Sequence, residues 1–301
     1  MSWKLTALGS KVEVEAAMAR REANDTWDES IVLAAFEIAP DRPDEWQLDA
    51  YVEEKPTQPM RDAMRALFDR RLPRLRAFEL PDTDWLAESQ TGVEPVREGR
   101  FHVRTPDNPA QDECGVTDFV IPAAQAFGTG QHETTSGCLA MLETMKAQGV
   151  IARNVADIGT GTGLLAFAAM TLWPRARTIA SDNDPVCEDA VIGNALANEI
   201  PLGTGRGDLA FTVAEGMEDP LLTGRAPYDL IIANILAGPL IELAPDFAAA
   251  LAPRGSVVLA GLLTTQEQDL RAAYRKAGMR LQARLVRGDW SILWLRQRYR
   301  G

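Results

Sequence analysis

The chain has 301 residues, 46% of them apolar, which is enough for two domains and a sizeable core. Its formal net charge of −12 speaks against direct nucleic-acid binding and favours a basic partner. Cys114, Cys138 and Cys187, with His102 and His132, show no zinc-ligand spacing, so we expect no metal site, reduced thiols and a cytoplasmic setting. The charged N-terminus "MSWKLTALGSKVEVE" has no apolar core of a signal peptide. No apolar run approaches the roughly 18 residues of a membrane span.

The first eighty residues alternate strand and helix signals. "SWKLTAL" reads as a strand and "KVEVEAAMARREA" as a helix. "SIVLAAFEI" and "EWQLDAYVEE" read as two strands joined at the turn "APDRPD". "QPMRDAMRALFDRRL" is a helix opening near Pro59, and "RAFEL" a closing strand. The order βαββαβ predicts a small α+β, ferredoxin-like domain over residues 1–80. It lacks a basic-aromatic RNA signature, so protein binding or scaffolding is its expected role. The polar, turn-rich segment 81–95 reads as a linker, and residues 96–301 as a second domain that opens on the strand "GRFHVRTP".

From about residue 119 strands alternate with helices, the pattern of an α/β parallel sheet. "NVADI", "RTIASD", "YDLIIANIL" and "GSVVLAGLL" are strand candidates. "TTSGCLAML", "LLAFAAMTLW", "PVCEDAVIGNALAN" and "TTQEQDLRAAYRKAG" are helix candidates. The nearly continuous apolar run around Ile231 predicts a strand covered on both faces. "RLQARLVRGDWSILWLRQ" closes the chain as a hairpin.

Gly159, Gly161 and Gly163 in "DIGTGTG" follow a strand and open a helix, where a glycine turn lets a ligand approach the backbone. Asp182 ends the next strand, where an acid receives ribose hydroxyls in nucleotide-binding α/β folds. Asp184 competes for that role, but as the residue before Pro185 it suits a helix cap. Leu164 stands where a dinucleotide fingerprint needs its third glycine, so a pyrophosphate ligand is disfavoured. Asn234 ends the strand "DLIIAN", at the end of the sheet where such folds bind ligands.

"DIGTGTG" resembles motif I of class I methyltransferases. "FGTGQHETT", "DIGTGTGLLAFAA", "SDNDP" and "ANILAGPLIELAP", in that order, resemble the ribosomal protein L-eleven methyltransferase family (PrmA) over nearly the whole chain. The resemblance implies a Rossmann-like class I methyltransferase domain with a seven-stranded, mostly parallel sheet behind the ferredoxin-like domain. It implies S-adenosyl-L-methionine as cofactor and a basic large-subunit ribosomal protein as substrate, recognised by the N-terminal domain and methylated on lysine side chains and its α-amine. No membrane or direct nucleic-acid contact and a monomeric state are expected. Thr135, Gly159, Gly161, Asp182 and Asn234 are the implied cofactor contacts, with Phe127, Gly128 and Thr129 in a lid that Gly128 and Gly130 free to move. Asn234 is also expected to orient the amine. His132 is either a general base or a residue that orders the lid or contacts the cofactor. Two other readings stand beside this one: a class I methyltransferase acting on another protein, RNA or a small molecule, and a non-enzymatic ribosome-assembly factor that binds the nucleoside.

Overall fold

The structure is a computed structural model that describes residues 2–22, 27–28, 31–38, 44–52, 54–68, 73–80, 94–122 and 133–298. Contacts divide the chain into two units, Met1–Asp84 and Trp85–Gly301. Most of the segment read as a linker (81–93) and most of the turn between the second and third strands (39–43) lie outside the described residues.

The first unit follows the expected order. It contains β1 (Ser2–Ser10), α1 (Lys11–Glu22), β2 (Val32–Glu37), β3 (Glu45–Val52), α2 (Gln58–Ala66) and β4 (Arg76–Leu80). Ser10 and Glu13 start α1 as a capping box: the Glu13 carboxylate accepts from Ser10 N at 2.9 Å, and Ser10 Oγ accepts from Glu13 N at 3.4 Å. α2 starts after Thr57 with Pro59 in its first turn, where a missing N–H costs nothing. The sheet order is β2-β3-β1-β4 with every pair antiparallel, the ferredoxin-like arrangement. Strand periodicity sends Leu5, Ala7, Leu48 and Ala50 into a core with Val14 of α1 and Met64 of α2. The opposite face presents Leu8, Val32, Phe36 and Phe78, which are exposed, around the buried Thr6 and Asp49.

The second unit begins with a small sheet of β5 (Val96–Glu98), β6 (Phe101–Arg104) and β7 (Thr117–Val120). After α3 (Glu133–Ala147) come β8 (Asn154–Ile158), α4 (Leu164–Leu172), β9 (Arg177–Asp182), α5 (Val186–Ala197) and β10 (Leu209–Val213). The chain continues with α6 (Pro220–Arg225), β11 (Tyr228–Asn234), α7 (Ala237–Glu242), α8 (Ala244–Ala250) and β12 (Leu251–Leu263). It ends with α9 (Glu267–Lys276), β13 (Met279–Arg287) and β14 (Trp290–Gln297). The seven-stranded sheet has the order β10-β9-β8-β11-β12-β14-β13. The first five strands are parallel; β14 runs antiparallel to both of its neighbours. The final hairpin therefore does not simply extend the edge: its second strand inserts beside β12 and pushes β13 to the rim.

β11 shows why its sequence is apolar without alternation. Leu230 and Ile232 enter the core beneath α3 and α4, whereas Ile231 and Ala233 enter the core beneath α7, α8 and α9. Both faces are covered, so both parities must be apolar. The strand stops at Asn234, two residues short of the apolar run that suggested it. No helix among the described residues is long and apolar enough to cross a membrane.

Candidate active site

Strand order reverses between β8 and β11: the chain moves outward from β8 to β9 and β10, then returns to the other side of β8. Two loops consequently part at the carboxyl ends of β8 and β11, the position at which open α/β sheets bind ligands in a crevice. Ile158 pairs with Ala233, so Gly159 and Asn234 follow side by side at the mouth.

The loop after β8 is built on three left-handed glycines, with φ of +70° at Gly159, +56° at Gly161 and +86° at Gly163. L-residues with a side chain pay for that conformation in steric strain. A Cβ on Gly159 would also lie 2.2 Å from Ile235 Cγ2, and one on Gly163 would lie 2.7 Å from Phe167 Cζ. The loop is tied to β9 by Gly159 N and Thr160 N, which both donate to Ser181 O, at 2.8 and 3.0 Å. From α5, Asn194 Nδ2 donates to Thr162 O at 2.9 Å.

Asp182 joins the two strand ends. Its Oδ2 accepts from Gly161 N at 2.9 Å and its Oδ1 from Asp184 N at 3.1 Å. Asp184 is turned away into a capping role, accepting from Val186 N at 2.9 Å. Asp182 thus stands at the end of β9 against the glycine loop, while Asp184 caps α5. The Cys187 thiol nearby is pushed up to about 12 by burial and by the Asp182 charge, which favours its protonated form.

Asp157 was not assigned a role from the sequence, although it is the first residue of the glycine motif. It is wholly buried beneath the loop. Its Oδ2 accepts from Thr160 Oγ1 at 2.6 Å and from Ala166 N at 3.0 Å, while Oδ1 has no partner among the described residues. Burial pushes its carboxyl up to about 7, with a further push from Asp182, against the two hydrogen bonds that lower it. An unpartnered buried oxygen in a native fold calls for a missing donor. The other missed residue is Gly261 of β12, with φ +85°; a Cβ there would lie 2.2 Å from Ile235 O. Its signal was a glycine inside an otherwise apolar strand, which marks close backbone approach. Ile235 is thus wedged between Gly159 and Gly261, and it sets the loop that carries Asn234.

Asn234 Nδ2 donates to Thr135 Oγ1 at 3.2 Å, which joins β11 to the first turn of α3. Thr135 and Asn234 are therefore brought together, as are Gly159, Gly161 and Asp182. Phe127, Gly128, Thr129, Gly130 and His132 lie outside the described residues.

The donor set indicates the ligand. None of residues 159–164, 182–186 and 234–238 is basic, so these loops offer no counter-charge to a pyrophosphate. They offer acceptors instead: the Asp182 carboxylate and the amide oxygen of Asn234. Ribose hydroxyls and an ammonium group are the complementary donors, and S-adenosylmethionine carries both, so these residues fit it.

Comparison with known proteins agrees. The family model described as Ribosomal protein L11 methyltransferase (PrmA) matches residues 1–298. A ribosomal protein L11 methyltransferase of Rhizobium rhizogenes is 38% identical over 272 residues, 89% of this chain and 90% of the relative. One of Sinorhizobium fredii is 39% identical over 89% of both chains. Among solved structures, a ribosomal protein L11 methylase of Lactobacillus delbrueckii subsp. bulgaricus is 26% identical with a TM-score of 0.56, covering 68% of this chain and all of its own. With the family model spanning almost every residue, the chain belongs to the ribosomal protein L11 methyltransferase family.

Proposed function

We propose that the protein, a cytoplasmic monomer, methylates lysine side-chain amines and the α-amine of ribosomal protein L11. The single observation that carries this reading is the acceptor-lined crevice at the β8–β11 switch, in a chain whose full length matches this family. When bound, S-adenosylmethionine supplies a methyl group on a sulfonium, an electrophile that needs only a neutral amine in line with it.

The protein's task is to deliver that amine. A lysine of ordinary pKa near 10.4 is protonated at pH 7, and removing its proton costs about 4.6 kcal/mol. Desolvation at the crevice lowers that cost, and water accepts the proton. Asp182 accepts from two backbone amides and Asp157 is wholly buried beneath the glycine loop, so neither is placed as a free base for the amine. Asn234 is a positioning group. Its Nδ2 is fixed on Thr135, which orients Oδ1 to accept from an incoming amine. Alignment of this kind contributes several kcal/mol, within the roughly 7–11 kcal/mol available to well-oriented pairs.

The open face of the first sheet supports substrate recognition by the N-terminal unit. Its register sets out three rows across the strands: Phe78–Lys4–Tyr51–Val32, Arg76–Thr6–Asp49–Ala34, and Leu8–Gln47–Phe36. Leu8, Val32, Phe36 and Phe78 are exposed on this face at 52%, 60%, 45% and 46%. In the middle row Asp49 is buried, and it accepts from Thr6 at 2.6 Å, from Gln47 at 3.0 Å and from Lys4 at 3.3 Å. An apolar surface around a fixed polar centre suits a protein partner.

The test is methyl transfer to purified L11, with mass spectrometry of the product. Methyl groups on lysine and the α-amine are expected, and Asn234→Ala should lower kcat about 10- to 100-fold while the protein still folds, the loss of one oriented contact of roughly 1.4–2.7 kcal/mol. Methylation of other side chains, or a variant with near-normal turnover, would defeat the reading.

A further inference from the structure

The net charge of −12 conceals a segregation. Residues 251–301 hold ten of the 31 basic residues but three of the 43 acidic ones, a net +7, which leaves net −19 on residues 1–250. β12, β13 and β14 gather this basic segment on one side of the sheet. Arg254, Arg280, Arg296 and Arg298 line one cleft. Arg280 and Arg298 also line a second cleft with Arg275, and Arg275 lines a third with Arg284. The shared side chains make the three clefts one continuous strip.

This strip holds its charges at a cost. Arg280 and Arg296 sit directly opposite each other across β13 and β14, and like charges so placed repel. Arg275, Arg280 and Arg298 are exposed and have no carboxylate partner among the described residues. Glu267, the one acid lining the strip, is buried and already pairs with Arg271 at 3.1 Å and Arg284 at 2.6 Å. Arg296 is aimed by its Nε, which donates to Arg254 O at 2.9 Å. The Arg275, Arg280 and Arg298 guanidinium groups, held together on an otherwise acidic protein, point to an anionic partner.

We infer that this arginine strip docks the phosphate backbone of RNA. Every cation lining the three clefts is arginine, whose planar fork matches phosphate in a way the lysine ammonium does not. The cleft between Arg254 and Arg298 has only arginine and glutamine in its lining; the second also touches Met279, Leu281 and Leu295, of which Met279 and Leu295 are buried, so the strip offers no exposed apolar anchor of a protein interface and no face to insert into lipid. A polar, cationic groove suits a hydrated, sequence-independent backbone contact. Tyr228 pairs with Leu251 and Asn234 with Ala260, so Arg254 lies where the parallel strands begin and the crevice where they end. That separation is roughly 20 Å, at about 3.3 Å per residue, and RNA on the strip leaves the crevice free. The inference rests on the proposed function for one point only: a ribosomal protein is a substrate found beside RNA. The two signs of charge then divide the labour, with the acidic body facing the basic protein and the strip facing its RNA.

The experiment is fluorescence anisotropy with a labelled RNA stem-loop, in a salt series. The wild type is expected to bind with a log–log salt slope of about −2 to −4, the release of a few counterions. Arg275→Glu/Arg280→Glu/Arg298→Glu should lose at least about tenfold in affinity and flatten that slope, with unchanged thermal unfolding and unchanged methylation of RNA-free L11. Should the triple variant not fold, Arg280→Gln and Arg298→Gln singly should each reduce the slope by about one. No binding near ~50 mM salt, or variants that bind as the wild type does, would overturn the inference. So would equal competition by polyglutamate, which assigns the strip to an acidic protein, or sedimentation with phosphatidylglycerol vesicles in preference to RNA. RNA binding without L11 methylation would refute the proposed function and leave the strip standing; methylation without RNA binding would do the reverse.

Discussion

The protein contains two sheets that use apolar residues for opposite ends. In the seven-stranded sheet β11 is covered on both faces, and Leu230, Ile231, Ile232 and Ala233 are wholly buried. Such a sheet has only its ends to offer a ligand, and the glycine loop, Asp182 and Asn234 all stand at one end. In the four-stranded sheet helices cover one face, and the other presents Leu8, Val32, Phe36 and Phe78 to solvent. That sheet has a face to offer. The contrast separates chemistry from recognition: a strand end holds a few atoms in fixed geometry, whereas a sheet face holds an area.

Glycine substitutions test the contrast most severely. Gly159→Ala meets a left-handed φ of +70° and a contact of 2.2 Å with Ile235. The conformation alone costs about 1–2 kcal/mol. Titration calorimetry should show S-adenosylmethionine binding lost and methyl transfer reduced at least about 100-fold, or some 2.7 kcal/mol. Gly9→Ala in the first sheet meets only ordinary contacts at 3.4–3.6 Å and should change stability by no more than about 0.5 kcal/mol. Equal effects at the two positions would dissolve the distinction between an end that binds and a sheet that does not.

Buried acids provide the next test. Asp49 in the first sheet has three donors around it, whereas Asp157 beneath the crevice has an oxygen with none. The folded-state carboxyl of Asp157 is raised to about 7 from an ordinary 3.8, chiefly by burial. Folding therefore favours its protonated form. That contribution is fully present below about pH 4 and is lost as the pH rises through about 7, a swing on the order of 4 kcal/mol at 1.36 kcal/mol per unit. Urea unfolding of the wild type and of Asp157→Asn at pH 5 and pH 8, without cofactor, should show the variant gaining relative stability at the higher pH. Parallel stabilities at both values would rule this out.

Periodicity and turn chemistry made much of the architecture legible. Pro59 and the apolar run through Ile231 each have one local physical meaning, and each is realised. β10 was not legible because "LAFTV" is short, sits at the sheet edge and is partly exposed at Phe211 and Thr212, so it carries neither alternation nor a long apolar run. The insertion of β14 between β12 and β13 was hidden for another reason: a hairpin signal fixes which strands pair with each other, and says nothing about which of them meets the sheet. In the crevice, Gly159, Asp182 and Asn234 were marked by strand ends and glycine spacing. Asp157 was overlooked because a buried acid within a strand has no pattern of its own; only its unpartnered oxygen reveals it. Gly261 and Ile235 meet through contacts between segments distant along the chain, which single-segment signals do not encode. The arginine strip was masked by summation, since a net charge adds residues that the fold keeps apart.

The smallest expected effect sharpens the contrast from the other side. Phe36 and Phe78 lie in different rows and on opposite edge strands of the open face, so Phe36→Ser/Phe78→Ser removes apolar area across its width without touching the core. Because both side chains are already 45–46% exposed, unfolding stability should fall by less than about 1 kcal/mol. S-adenosylmethionine affinity should not change, since no strand of this sheet contributes to the crevice. If the face holds L11, the lost contacts bind ground state and transition state alike, so KM for L11 should rise about tenfold, or 1.4 kcal/mol, at constant kcat. Asn234→Ala should do the converse, lowering kcat with little change in KM. An unchanged KM in the double variant would remove recognition from the open face, and a fall in kcat would mean that the sheet face and the strand end do not act separately.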